Sequence, residues 1–290
     1  MKIVVTGGAG FMGSHLVDAL VDRGHDVTVF DLRESKWLPA RATMVVGTLD
    51  DNTKLDEVVR RADAVYHLAG FADLNAARSR PLDTVSANIV GTVGLLEAMR
   101  RHDVKRFLFA STVYVYSRAG GFYRCSKQAC ESYIEEYAQA FGLRYTMLRY
   151  GSLYGPRADR TNGVYRLLAS AIRDARIDYT GEPDDQREYI HVEDAARLSA
   201  DALGPEYENQ QILLTGQAST RAAELFKMFQ EILGRKLEVQ YRPAEGHGHY
   251  SVTPYAYTPK PGRKLVSNHY VDMGQGLLRM VEDLHREVES

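Results

Sequence analysis

The sequence predicts an α/β protein, a doubly wound parallel sheet flanked by helices, with a smaller α/β lobe interleaved with it. Three observations carry that expectation. The chain opens with a short apolar strand that runs straight into spaced glycines and a helical pattern. Up to residue 151, strand-like apolar runs alternate with amphipathic helical stretches, the order that right-handed crossovers turn into a parallel sheet. No Gly-, Pro- or Ser-rich linker and no internal repeat divides the 290 residues. Composition agrees: 44% hydrophobic and 26% charged residues are those of an ordinary globular chain. A formal net charge of −2 gives no nucleic-acid or membrane-surface signal. No apolar run reaches the ~18 residues of a membrane span, and the first apolar run enters the glycines too soon for a signal peptide. Cys125 and Cys130 fall on different faces of one predicted helix, and no His or Cys set has metal spacing. A reduced, cytoplasmic enzyme without a metal is the expectation.

Residues 2–6 (KIVVT) form the first strand. Gly7, Gly10 and Gly13 follow as G-x-x-G-x-x-G, directly before the helical stretch SHLVDALVDRG. Glycines permit a tight turn and a close backbone approach to a pyrophosphate, whose charge a helix N-terminus favours. The next strand, DVTVFD, ends in Asp31, 18 positions after Gly13 and near the ~20 expected of a carboxylate that binds the adenosine ribose. Asp31 would accept from the 2′-hydroxyl and repel a 2′-phosphate, which selects NAD over NADP. Arg33 is the opposing signal; as a solvated loop residue it leaves that choice intact. A strand over 43–47 leads to a helix near 53–61. The strand at 63–70 ends in small residues, suited to a backbone passing close to a cofactor. Residues 82–102 form one amphipathic helix, with Val85, Ile89, Val93, Leu96 and Met99 three to four apart.

The run Arg106–Ala110 is a buried strand ending in two hydroxyls, Ser111 and Thr112. After the Gly120–Gly121 loop a helix carries Tyr123 and Lys127, four residues and about one turn apart, hence on one face. A phenol, an ammonium and a strand-end hydroxyl make an acid–base cluster in which the ammonium favours the phenolate and the hydroxyl holds a substrate oxygen. A strand over 143–151 completes the first part, 1–155, expected to bind the dinucleotide. From Pro156 the pattern changes. Helices at 163–174, 192–203 and 220–233, with strands IDYT, QILLTG and 236–243 and a final helix at 273–288, suggest a substrate lobe over 156–290. The tract 247–264, rich in aromatics and prolines, reads as a loop over the substrate or a subunit contact, and His247 and His249 within it as surface imidazoles.

Seven segments in order resemble the extended short-chain dehydrogenase/reductases that act on nucleotide sugars: TGGAGFMG at 6–13, HLAG at 67–70, NIVGT at 88–92, ASTVYVYS at 110–117, YRCSK at 123–127, LRYGSLYGP at 148–156 and REYIHVEDAA at 187–196. The resemblance implies a Rossmann fold with Thr112, Tyr123 and Lys127 as the catalytic set: Tyr123 the base, Lys127 lowering its pKa and binding the nicotinamide ribose, Thr112 bonding the reacting sugar oxygen. It implies an NAD site from Gly7, Gly10, Phe11, Met12, Gly13, Asp31 and Leu49, with Leu68, Ala69 and Gly70 beneath it. Asn88 would support the active site and Tyr150 flank the nicotinamide. On the substrate side it implies Tyr114, Ser152, Tyr179, Arg187 and Arg242, the two arginines clamping a diphosphate; for Arg242 a surface salt bridge competes with that role.

Departures from the family pattern narrow the reaction. Related dehydratases carry Asp-Glu after the catalytic Thr, and decarboxylases keep the Glu; here Val113 and Tyr114 stand there. Without that carboxylate, elimination lacks its proton carriers. Tyr114 would donate a proton in the Glu position or pack in the core. Thr48 replaces an Asp that meets adenine, Ser152 replaces an Asn, and the loop between Thr112 and Tyr123 is short. The expected activity is epimerisation of a nucleotide-diphosphate sugar, at C4, through a transient 4-keto sugar. The alternatives are a dehydratase or reductase using the same triad, and a non-catalytic dinucleotide-sensing regulator. A homodimer is implied, pairing the helices at 82–102 and 123–141 through Leu95, Met99, Ile134 and Tyr137; the competing reading is that these four face the sheet.

Overall fold

The strand and helix signals translate into elements whose order is set by apolar runs and by the residues that end them. In the computed structural model, which describes residues 1–243 and 249–255, β1 (Lys2–Thr6) leads through the glycines to α1 (Phe11–Asp22). Then come β2 (Asp26–Asp31), β3 (Thr43–Val46), α2 (Asn52–Val59) and β4 (Ala64–His67). Two short helices, α3 (Leu74–Ser79) and α4 (Pro81–Thr84), lead into a π-helical turn at Val85–Val90 and then α5 (Gly91–Arg101). β5 (Arg106–Thr112) passes through a 3₁₀ turn, Val113–Tyr116, to the long helix α6 (Gly121–Phe141) and on to β6 (Arg144–Tyr150). The second part adds β7 (Ser152–Tyr154), α7 (Gly163–Asp174), β8 (Arg176–Thr180), β9 (Gln186–His191) and α8 (Val192–Asp201). β10 (Gln210–Leu214), β11 (Ser219–Arg221), α9 (Ala222–Leu233) and β12 (Glu238–Arg242) follow.

Seven strands pair in parallel in the order β10-β6-β5-β4-β1-β2-β3. The central strands are buried on both faces, which is why Phe107, Leu108 and Phe109 follow one another without polar alternation. One face packs beneath α1 and α8, with Leu16, Leu20, Tyr66, Leu148 and Ala195 in its core. The other, beneath α2, α5 and α6, buries Leu55, Leu96, Phe107 and Ile134. A fully buried Leu such as Leu16 or Leu20 stabilises by roughly 1.5–3 kcal/mol. Beyond the sheet, a three-stranded β11-β9-β7 sheet and a β12-β8 pair enclose a third core of Ile177, Tyr179, Phe226 and Phe229.

Several expectations need correction. The strand read into the smaller lobe at 211–216 is β10, an outer strand of the main sheet alongside β6, and α8 packs on the α1 face. The continuous helix expected over 82–102 is interrupted by the π turn, where Asn88 turns inward to bond the backbone of Phe71 and the hydroxyl of Ser126. Leu95, Met99 and Ile134, expected on a dimer face, are 0% exposed and pack against the sheet. Tyr137 is half-buried and donates to Glu97 Oε1 at 2.6 Å. Exposed apolar side chains on these helices include Val90, Tyr133 and Phe141. The helix expected at 273–288 lies outside the described residues.

Candidate active site

The glycine turn is shaped by collisions that only glycine avoids. Gly7 has φ +74°, and a Cβ on it would sit 2.5 Å from the Ala69 amide nitrogen. On Gly13 it would meet the Gly7 carbonyl oxygen at 2.1 Å. The turn is thus pressed between α1 and the segment Leu68–Ala69 that leaves β4. Gly10 caps α1 without a side chain, and no acidic residue occupies the first turn, so the amides of Phe11, Met12 and Gly13 open an end suited to an anion. Asp31 closes β2 with Oδ2 accepting from the Ala9 amide at 3.0 Å, which fixes the carboxylate beside the glycines. Arg33 is exposed; the Asp159 carboxyl is held low first by Thr161, with the Arg33 charge adding. Leu49 packs against Gly91, where a Cβ would lie 2.8 Å from its Cδ1.

Beneath this turn lies a polar relay that sequence reading missed. His67, 0% exposed, places Nδ1 2.6 Å from Thr6 Oγ1 and Nε2 3.0 Å from Thr92 Oγ1. Thr92 donates its own hydroxyl to the Asn88 carbonyl at 2.5 Å. It therefore accepts from His67, and the network assigns the proton to Nε2. Burial pushes the imidazole down to about 3, the Lys127 charge adding to the effect, so His67 is neutral. Asn88 Oδ1 accepts from the Phe71 amide at 2.6 Å, and its Nδ2 donates to Phe71 O and Ser126 Oγ. This clamp fixes Gly70, on which a Cβ would strike Asn88 Oδ1 at 2.7 Å.

Thr112 ends β5, and its Oγ1 accepts from the Tyr114 amide at 3.2 Å, capping the 3₁₀ turn. Thr112 also favours the ionised form of the Tyr123 phenol. Tyr123 rises from the first turn of α6, which Gly120 precedes with φ +89°. Lys127, one turn on, is 5% exposed and donates to Ala110 O at 2.8 Å; its Nζ lies 4.5 Å from the Phe109 ring centre and 6.0 Å from that of Tyr123. The structure thus joins Thr112, Tyr123 and Lys127 at the carboxyl end of the sheet. It differs from expectation in electrostatics. Burial pushes the Tyr123 phenol up to about 12, with Thr112 opposing. Lys127, itself held below its usual range by burial, spends a proton on Ala110 rather than on the phenol.

A second unforeseen group locks these elements. Arg149 and Glu131, 6% and 4% exposed, form a bidentate pair, Nε–Oε1 2.9 Å and Nη2–Oε2 2.7 Å. Ser111 donates to the same Glu131 Oε1 at 2.6 Å, and Arg149 also bonds Tyr116. A buried pair of this kind fixes geometry more than it adds stability. Here it joins α6 to β5 beside Thr112 and to β6. The only prior signal was an Arg inside an apolar strand.

Of the remaining expected residues, Tyr150 neighbours Thr112 in strand register, but its hydroxyl bonds Ser199 Oγ at 2.7 Å within the core. Ser152 stands opposite Tyr189 in β9, two residues from Arg187. Arg187 is half-buried among Tyr114, Tyr179, Tyr189 and Tyr250. Its guanidinium lies 5.5 Å from the Tyr250 ring centre and its charge favours the ionised form of Tyr179. Among the described residues no carboxylate pairs with it. Arg242 is exposed and pairs with Asp178 at 3.1 Å, the surface salt bridge rather than a partner of Arg187. Tyr114 packs 4.8 Å from the Tyr250 ring and 6.5 Å from that of Tyr123, and its hydroxyl lies 2.6 Å from His249 Nδ1. His247 is outside the described residues. Among the described residues no group of three His, Cys, Asp or Glu could hold a metal.

Comparison with known proteins agrees with this geometry. A UDP-glucose 4-epimerase from Thermotoga maritima, solved with UDP-glucose, superposes with a TM-score of 0.81 at 29% identity, over 99% of this chain and 100% of that one. A putative UDP-glucose 4-epimerase of Methanocaldococcus jannaschii is 28% identical over 96% of this chain and 97% of its own. A UDP-N-acetyl-alpha-D-glucosaminuronate decarboxylase of Bacillus cytotoxicus is 26% identical over 91% and 88%. The family model of NAD dependent epimerases and dehydratases matches residues 3–211, and this chain belongs to that NAD dependent epimerase/dehydratase family.

Proposed function

We propose that the protein epimerises a nucleotide-diphosphate sugar at C4 with NAD as a resident cofactor. The observation that carries this reading is Thr112 at the end of β5 with Tyr123 and Lys127 one turn apart at the start of α6, Lys127 Nζ 6.0 Å from the Tyr123 ring centre, and Val113 and Tyr114 following Thr112 where eliminating relatives hold acids. The glycine turn fits a dinucleotide, because a Cβ at Gly7 or Gly13 would fill the cradle. Asp31 beside the turn fits an unphosphorylated ribose. When bound, oxidised NAD supplies the hydride acceptor and a positive charge that favours the Tyr123 phenolate. Tyr123 takes the proton of the sugar hydroxyl, and Thr112 holds that oxygen. Lys127, fixed by Ala110, keeps an ammonium within reach of the ribose and the phenol. The 4-keto sugar turns over while its diphosphate stays held, and Tyr123 returns the proton when the hydride is returned to the opposite face. Arg187, which pairs with no carboxylate among the described residues, is the cation for the diphosphate. The nucleotide-sugar lobe is the described part of 156–290 that lies outside the main sheet.

The same reading places the enzyme in the cytoplasm; no described helix is long and apolar enough to cross a membrane. It also makes it a homodimer. The groove lined by Ile89, Val90, Val93 and Tyr133 gives α5 and α6 an apolar seam for a second copy.

The test is product analysis in deuterated water with a panel of nucleotide sugars. Hydride return at C4 gives epimer without carbon-bound deuterium, whereas elimination or epimerisation at C5 incorporates it. Tyr123→Phe should slow turnover by ~10²–10⁴-fold while NAD binding survives. Deuterium on the carbon skeleton would overturn the C4 reading.

A further inference from the structure

Tyr114 and His249 lie 135 residues apart, and His249 falls beyond the stretch that the family model matches. The segment carrying His249 is nevertheless built into the site. Ser251 O accepts from the Gln186 amide at 2.7 Å, and Thr253 Oγ1 from the Glu188 amide at 3.2 Å. Tyr250, 7% exposed, packs with Val113 and Ala119. The segment is thereby tied to β9 on both sides of Arg187 and delivers His249 to the Tyr114 hydroxyl at 2.6 Å.

Among the described residues Tyr114 is also held at its amide and its ring. Its amide donates to Thr112, its ring stands edge-on to Tyr123, and Gly120 lacks the Cβ that would meet its Cδ1 at 2.7 Å. The phenol has one donor and spare acceptor capacity. In either tautomer of His249, one bond to Nδ1 leaves the Tyr114 oxygen with a further bond to make, and among the described residues none fills it. We propose that Tyr114 contacts an uncharged oxygen of the sugar beside the reacting carbon, and that His249 is a positioning residue that aims the Tyr114 hydroxyl. His249 is an exposed residue, yet desolvation of its ring, with the Arg187 and Arg166 charges adding and Asp185 opposing, holds the imidazole down to about 4, so with its Tyr114 partner it is uncharged at neutral pH and matches a neutral sugar oxygen. This rests on the nucleotide-sugar reading above.

The experiment uses the full-length, NAD-loaded enzyme and calorimetric titration with UDP-glucose or TDP-glucose, whichever binds better, against its free nucleotide diphosphate. Tyr114→Phe and His249→Leu should each weaken the sugar nucleotide by about three- to tenfold, the scale of one net hydrogen bond, and leave the nucleotide diphosphate unchanged. In the Tyr114→Phe background, His249→Leu should add nothing. His249→Asn, which keeps an amide near Nδ1, should recover part of the loss. kcat/KM should follow the same pattern, with thermal stability as the control for folding. Additive losses, equal losses for both ligands, or silent variants in an otherwise binding enzyme would overturn the pair and leave the activity standing. A wild-type enzyme that binds neither sugar nucleotides nor their diphosphates would overturn both.

Discussion

Acid should loosen this protein through His67, and the size of the effect follows from its surroundings. The folded imidazole is held near 3 against an ordinary value of 6.5, because it is fully buried and both ring nitrogens are committed to Thr6 and Thr92. Below pH 6.5 the unfolded chain binds a proton that the folded chain refuses, so stability rises with pH between about 3 and 6.5. The contribution is complete above 6.5 and is lost as pH falls through that window. At 1.36 kcal/mol per pKa unit the whole drop corresponds to about 5 kcal/mol, of which about 2 kcal/mol is lost by pH 5. Urea unfolding of wild type and His67→Gln at pH 7, 6 and 5 isolates the term, since the other titrating groups cancel in the difference. The gap between the two proteins should shrink by about 2 kcal/mol from pH 7 to pH 5, whatever its starting size. Parallel curves would show that His67 does not resist protonation and would refute the buried neutral relay.

Two other outcomes are expected. Asp31→Ala should erode the preference for NAD over NADP in fluorescence titration, because the repulsion of a 2′-phosphate disappears; tighter NADP binding by the wild type would mean that Arg33 decides instead. Val90→Asp combined with Tyr133→Asp should convert a dimer to a monomer in sedimentation at micromolar concentration without lowering the melting temperature of the protomer, since both side chains are exposed; a wild-type monomer would remove the seam.

Sequence alone determined the parts whose physics is local. Gly7, Gly10 and Gly13 at fixed spacing between a strand and a helix specify a turn that only glycine can make, and Asp31 follows because the next strand returns to the same edge. Tyr123 and Lys127 share a face because helical geometry puts residues four apart together. The parallel sheet followed from alternation of elements. Tertiary structure decided what depends on partners distant in the chain. An apolar strand reads the same whichever sheet it joins, so only pairing with β6 placed β10. Apolar spacing on α5 and α6 marks a buried face without naming its cover, so Leu95, Met99 and Ile134 went to the sheet, while Val90 and Tyr133 stayed exposed. His67 with Thr6 and Thr92, Glu131 with Arg149, and Tyr114 with His249 are polar groups matched across 18 to 135 residues. No periodicity encodes such matches, because each needs a hydrogen-bonding partner only once burial has removed water, and burial belongs to the folded chain.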